Sequence, residues 1–172
     1  MKRLTVITIA ALFFLCACEF DQAAAPSSAA VNTVSGVQTD DDGDDIILTF
    51  EGAEAEQMTR REFLALEQIA VELTRTNSKG VTTTGTYQGV NWKVLAEAIG
   101  AEDVQSIEVA ASDGFGQAYS MDVLTAPDSV FALFKDGEPI TEEEENGQIW
   151  FCASNDFTAN YWTKYIVKVI VK

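Results

Sequence analysis

Three cysteines and no histidine set the chemical range of this 172-residue chain. Thiolates are nucleophiles and soft-metal ligands, and Cys16, Cys18 and Cys152 are the whole supply. Without histidine the commonest general base and metal ligand is missing, so Ser-His-Asp catalysis, Cys-His catalysis and any His-ligated zinc site are excluded within this chain. Asp and Glu number 27 against 11 Lys and Arg, a formal net charge of −16. A surface that negative repels phosphate backbones, so no nucleic acid partner is expected.

Spacing separates the three thiols. Lys2 and Arg3 form a short positive region, and residues 4–15 are an apolar run too short to span a membrane as a mature helix. Leu15-Cys16-Ala17-Cys18 follows, and it resembles the bacterial lipobox, with Leu three places and Ala one place before the modified cysteine. The resemblance implies that Cys18 is lipidated and becomes the new N-terminus, while Cys16 leaves with a signal peptide of residues 1–17. Two alternatives are an ordinary secretory signal ending near Ala17 and an uncleaved anchor. A diacylated cysteine carries two chains, enough for stable anchoring. The expected location is therefore the extracytoplasmic face of a cell membrane, held through Cys18. Cys152 differs: it lies in the apolar run Ile-Trp-Phe-Cys-Ala, where a free cysteine behaves as a small hydrophobe. With Cys18 acylated it has no intramolecular disulfide partner. Core packing is expected for it, with a ligand or reactive thiol as the alternative.

Residues 18–45 read as a flexible acidic linker. Ala-Ala-Ala-Pro-Ser-Ser-Ala-Ala offers nothing to bury, and Asp-Asp-Asp-Gly-Asp-Asp is a self-repelling charge block. A calcium loop of EF-hand type needs carboxylates at alternate positions before its glycine; Asp40, Asp41 and Asp42 are consecutive, so the register fails. The folded domain is expected at residues 46–172.

Inside that domain, strands are expected at residues 46–50, 69–74, 81–87, 106–111, 118–121, 130–134, 149–153 and 165–171, from β-branched and aromatic enrichment between turn signals. Thr59-Arg60-Arg61-Glu62 is a capping box opening a short helix with Phe63, Leu64 and Leu66 inward. Asn91 caps a second helix carrying Trp92, Val94, Leu95, Ala98 and Ile99 and stopped by Gly100. Residues 122–124 make one helical turn. Asn77-Ser78-Lys79-Gly80 and Asp113-Gly114 are turns, and the Glu142–Glu145 run before Asn146-Gly147 is a solvated loop. Trp92, Trp150 and Trp162 are expected in the core. Strands outnumber helices in mixed order, which gives an α+β class.

Four segments together carry a resemblance. Gly85-Thr86-Tyr87-Gln88-Gly89-Val90 leads into Leu95-Ala96-Glu97-Ala98-Ile99-Gly100. Ala111-Ser112-Asp113-Gly114-Phe115 follows, then Ala132 through Ile140 with its Asp136-Gly137-Glu138-Pro139 turn. Tyr161-Trp162 ahead of Ile166, Val169 and Val171 comes last. In this order they resemble the oxidoreductase molybdopterin-binding domain of sulfite oxidase type, in its small stand-alone form. The resemblance implies a mixed, barrel-like β-sheet with a few short helices over everything after the linker.

The resemblance also implies a molybdenum centre held by a cysteine soon after the strand that follows the first helix. The matching stretch, Glu72-Leu73-Thr74-Arg75-Thr76-Asn77-Ser78-Lys79, has none, and the lysine expected before the late Trp is Tyr161. No cofactor is therefore expected, although molybdopterin follows from the family. Candidate ligand-binding residues are Arg75 and Lys79, the cations near the matched turn, with Asn77, Asp113, Asn155, Asn160 and Tyr161. Three readings follow: a membrane-tethered non-catalytic module binding a small molecule or a protein, an extracytoplasmic molybdenum oxidoreductase, and an accessory lipoprotein making protein contacts alone. Convergence of Asn77, Asp113, Asn155 and Tyr161 on one hollow would favour the first over the third.

Overall fold

A computed structural model describes residues 43–140 and 148–172. The signal segment, Cys18, most of the linker and the Glu142–Glu145 run lie outside the described residues. The elements run β1 (Ile46–Glu51), β2 (Gln57–Thr59), α1 (Arg60–Ala65), β3 (Ile69–Thr76), β4 (Thr82–Val90), α2 (Trp92–Ala98), β5 (Ser106–Ala111), β6 (Gly116–Ser120), α3 (Met121–Leu124), β7 (Val130–Lys135), β8 (Glu138–Pro139), β9 (Ile149–Cys152) and β10 (Thr163–Val171), with a 3₁₀ turn at Ala159–Tyr161 before β10.

The helices begin where local chemistry dictates. Thr59 and Glu62 complete the capping box in both directions, and the two hydrogen bonds that Glu62 accepts from Thr59, backbone first and then side chain, hold its carboxyl below the usual range. Phe63 is fully buried, whereas Leu64 and Leu66 are only partly so. The Asn91 side chain accepts from Val94 N at 3.0 Å to start α2, and Gly100 ends it with φ +65°, a conformation that glycine adopts without penalty. No helix among the described residues is long and apolar enough to cross a membrane, which says nothing of a β-barrel.

The strands form one branched, open sheet in the order β2-β1-β10-β9-β7-β4-β3, with β5 joined to β10, β6 to β5 and β8 to β7. The expected α+β class holds, but the barrel-like closure does not: β2 and β3 are outer strands, and no ladder joins them. β10 is the branch point. Its start pairs antiparallel with β9 at Thr163↔Phe151 and Ile166↔Ile149. Its second half runs parallel to β1, from Thr49↔Lys168 to Glu51↔Ile170, and antiparallel to β5, from Lys168↔Ala110 to Val171↔Ile107. Tyr165, between those halves, has φ +56°, a left-handed conformation that a bulky residue adopts only when its surroundings force it.

A second irregularity sits in the β4–β7 ladder, between Gln88 and Gly89. A Cβ on Gly89 would lie 1.9 Å from the Phe131 carbonyl oxygen, so close backbone approach requires glycine here. The shift sorts alternate side chains of these strands onto two faces. One face holds Trp92, Phe131, Phe151 and Tyr119, with successive ring centroids 6.2, 4.9 and 4.5 Å apart. Phe131 and Phe151 are essentially fully buried there. The Tyr119 hydroxyl shares a 2.6 Å hydrogen bond with Thr163 Oγ1, so this face is apolar and its one phenol is satisfied.

Candidate functional site

The other face of β3, β4, β7 and β9 is built differently. Trp162 packs edge-on to Tyr87 at 5.1 Å, Tyr87 lies 6.5 Å from Trp150, and Trp150 meets Tyr165 edge-on at 5.9 Å. A cation stands at each end of this row. The Arg75 guanidinium is 5.8 Å from the Trp162 ring centre, and Lys164 Nζ is 4.0 Å from that of Trp150. Both distances are within cation–π range. Lys135 comes in from β7 beside Gly85, where a Cβ would meet its Cε at 3.1 Å. Its nearest carboxylate, Asp136, is 4.0 Å away and also accepts from Thr86 N at 2.8 Å.

Cys152 lies beneath this row with no exposed surface. Burial pushes its thiol well above the ordinary range, and the charges of Arg75, Lys164 and Lys135 only partly offset that. Three of the chain's eleven Lys and Arg side chains thus act on one buried sulfur. The result is an inert thiol, since the thiolate is the reactive and metal-binding form. Tyr87 is pushed up to about 12, first by burial, then by Cys152 and Asp136, with Arg75 opposing.

The sequence-predicted residues fall into two groups. Arg75 and Asn155 both lie at β3, Arg75 within the strand and Asn155 along its outer edge. Asn155 Oδ1 accepts from Thr74 N at 2.8 Å and its Nδ2 donates to the Glu72 carbonyl at 3.3 Å, so one amide side chain pairs with the free strand edge as a backbone would. Tyr161 precedes Trp162, is exposed and stacks at a tilt on Phe157, 5.4 Å away; Asn160 is exposed, and its carbonyl accepts from Gln117 Nε2 at 2.9 Å. The rest lie apart. Asn77 Oδ1 accepts from the Lys79 and Val81 amides in the β3–β4 turn, leaving Lys79 exposed at the hairpin tip. Asp113 Oδ1 accepts from Phe115 N in the β5–β6 turn, the ordinary duty of Asp before Gly. The four residues expected to converge are thus spread over two hairpin tips and one loop.

Sequence reasoning missed Lys135, Lys164 and the ring row as a group. The sequence held only a partial trace of it, a cation close to an aromatic in Phe134-Lys135 and in Trp162-Thr163-Lys164, whereas Arg75 has no aromatic near it along the chain. Two adjoining clefts of about 360 and 270 Å³ lie elsewhere, around Trp92, Lys93 and Thr125 between α2 and α3. No sequence-predicted site residue lines either one.

A thiolate-held metal does not fit these residues. The described thiol is sealed and held protonated, and no group of three His, Cys, Asp or Glu among the described residues could hold a metal ion.

No family model matches this chain, and no curated protein matches it. Among solved structures it is similar to the crystal structure of the sulfane dehydrogenase SoxCD from Paracoccus pantotrophus, at a TM-score of 0.59 and 16% sequence identity, over 80% of this chain and 40% of that one. The likeness shows a coarse relationship of fold, consistent with the α+β class. The chain spans about 40% of the length of the neighbour.

Proposed function

We propose that this chain is a membrane-tethered, extracytoplasmic binding module on a sulfite-oxidase-type scaffold, with no redox turnover of its own. Lipidated Cys18 is the anchor in this reading and the acidic segment to residue 45 the spacer. Its carrying observation is the identity of the side chain that β3 projects beside Trp162: a guanidinium, Arg75. A soft metal cation is drawn to a thiolate and repelled by a guanidinium, whereas an anion is attracted by it. The sealed state of Cys152 supports the same reading, because no second thiol among the described residues could take over. The likeness of fold to a dehydrogenase adds the scaffold but no chemistry, since function belongs to the site.

The test is elemental analysis of the full-length chain, made in cells that supply molybdenum cofactor and purified from their membranes in detergent. The expected result is a membrane-fractionating protein with far less than one molybdenum per chain. Close to one per chain would overturn the reading.

A further inference from the structure

The two adjoining clefts between α2 and α3, of about 360 and 270 Å³, make one groove, for both are lined by Trp92, Lys93 and Thr125. Its floor is apolar: Ala96, Val104 and Met121 in the larger cleft, Leu124 and Pro127 in the smaller. Its rim is acidic. Glu97 lines the larger cleft, Glu102 and Asp103 stand between its liners Ala101 and Val104, Asp122 follows Met121, and Asp128 follows Pro127. The first four are exposed, and none of the five forms an ion pair among the described residues. Exposed carboxylates elsewhere do find partners, Asp44 with Arg61, Glu51 with Lys168 and Glu108 with Lys172. Lys93 is the one cation in the lining of both clefts, so five carboxylates stand against a single ammonium.

We propose that this groove docks a cationic peptide segment of a partner protein, which seats one bulky apolar side chain in each cleft and sets lysines or arginines against the rim. The proposal goes beyond the binding-module reading: it concerns a separate part of the molecule and holds with or without molybdenum. Apolar side chains suit the floor because covering it removes hydrocarbon from water. Two adjoining clefts suit the paired anchors that a helix presents at i and i+4. Cationic flanks suit the rim because opposite charges steer the encounter and fix its register. The same charge argues against other occupants. A second copy of this chain brings a net charge of −16 of its own, and an anionic lipid surface is repelled as well. Lys93 opposes the partner, so its removal should help; an anionic occupant would reverse that sign.

Fluorescence anisotropy of labelled peptides against the full-length chain in nonionic detergent tests this, with detergent alone as the baseline. The first peptide surrounds two leucines, at i and i+4, with lysines. The second replaces both leucines by alanine, and the third replaces every lysine by glutamate. At an ionic strength of about 0.15 M, the first is expected to bind at least about tenfold tighter than either of the others, a difference of about 1.4 kcal/mol. Thr125→Trp, at an exposed position lining both clefts, should block the groove and weaken the first peptide by about tenfold. Lys93→Gln should tighten it about two- to fivefold, and Glu97→Gln combined with Asp122→Asn should loosen it by as much. Circular dichroism identifies the folded variants, and the charge variants alone decide the matter if Thr125→Trp does not fold. Equal binding of the alanine or the glutamate peptide, an unaltered affinity in folded Thr125→Trp, weaker binding in Lys93→Gln, or no binding of the first peptide at millimolar concentration would each overturn the proposal. Molybdenum content is read separately, so failure here leaves the binding-module reading standing.

Discussion

The Phe131 face and the Trp150 face are made from alternate residues of the same strands, yet they are finished differently. On the first, Trp92, Phe131, Phe151 and Tyr119 form a continuous row that ends in a paired hydroxyl. On the second, Trp162, Tyr87 and Trp150 form a row of similar spacing that ends in a cation at each side and retains two unpaired donors. Burying apolar area stabilises both. Pairing polar groups completes only one. The comparison teaches that a single sheet can satisfy its polar groups on one side and leave buried donors unpaired on the other, a local violation of polar satisfaction.

The largest expected effect tests the sealed side. Phe131→Ala should lower unfolding free energy by about 3–5 kcal/mol, through lost burial and the cavity left behind, as read by urea denaturation. A loss below about 1 kcal/mol would mean that this face is loosely packed and that the contrast is false.

Next comes the strap that holds the charged side in shape. Asn155→Ala removes both hydrogen bonds to the β3 edge and should cost about 1–2 kcal/mol. The Thr74 amide should then exchange faster with deuterium. An unchanged exchange rate would show that the loop carrying Trp162 is positioned by something else.

The smallest effect compares one phenol from each face. Burial is the main cause that raises both, with Tyr87 at about 12 and Tyr119 higher still, its bond to Thr163 only partly opposing. A group whose folded pKa is raised contributes stability that is complete below its unfolded value near 10 and fades as pH climbs through the folded value. An ultraviolet titration should therefore show Tyr87 ionising near 12 in the folded protein, assigned by its disappearance in Tyr87→Phe, with Tyr119 ionising only later. The opposite order would invert the assignment of sealed and charged faces.

What could be read from the chain alone was what neighbours in sequence decide. The Thr59–Glu62 box, the Asn91 cap and the Asn77 and Asp113 turns all close through groups within four residues. β2 and β8 escaped notice because three and two residues show no alternation; each exists through a partner strand. The open sheet in place of a barrel has a similar origin, since the edge of β3 is met by a side chain 81 positions away rather than by another strand. Arg75 could be singled out as a cation near the matched turn. Its companions could not, because Lys135, Trp150 and Lys164 reach one face only after the shifts at Gly89 and Tyr165 have set the register.

β10 has a consequence for how the molecule comes into being. The first strand finds its parallel neighbour only in the last one, and β5 and β9 wait for that same strand. Pairings so distant along the chain close slowly, and here they share a single late arrival. Until residues 163–171 emerge from the ribosome, three ladders stand unfinished, and the sheet cannot lock its outer branches in place.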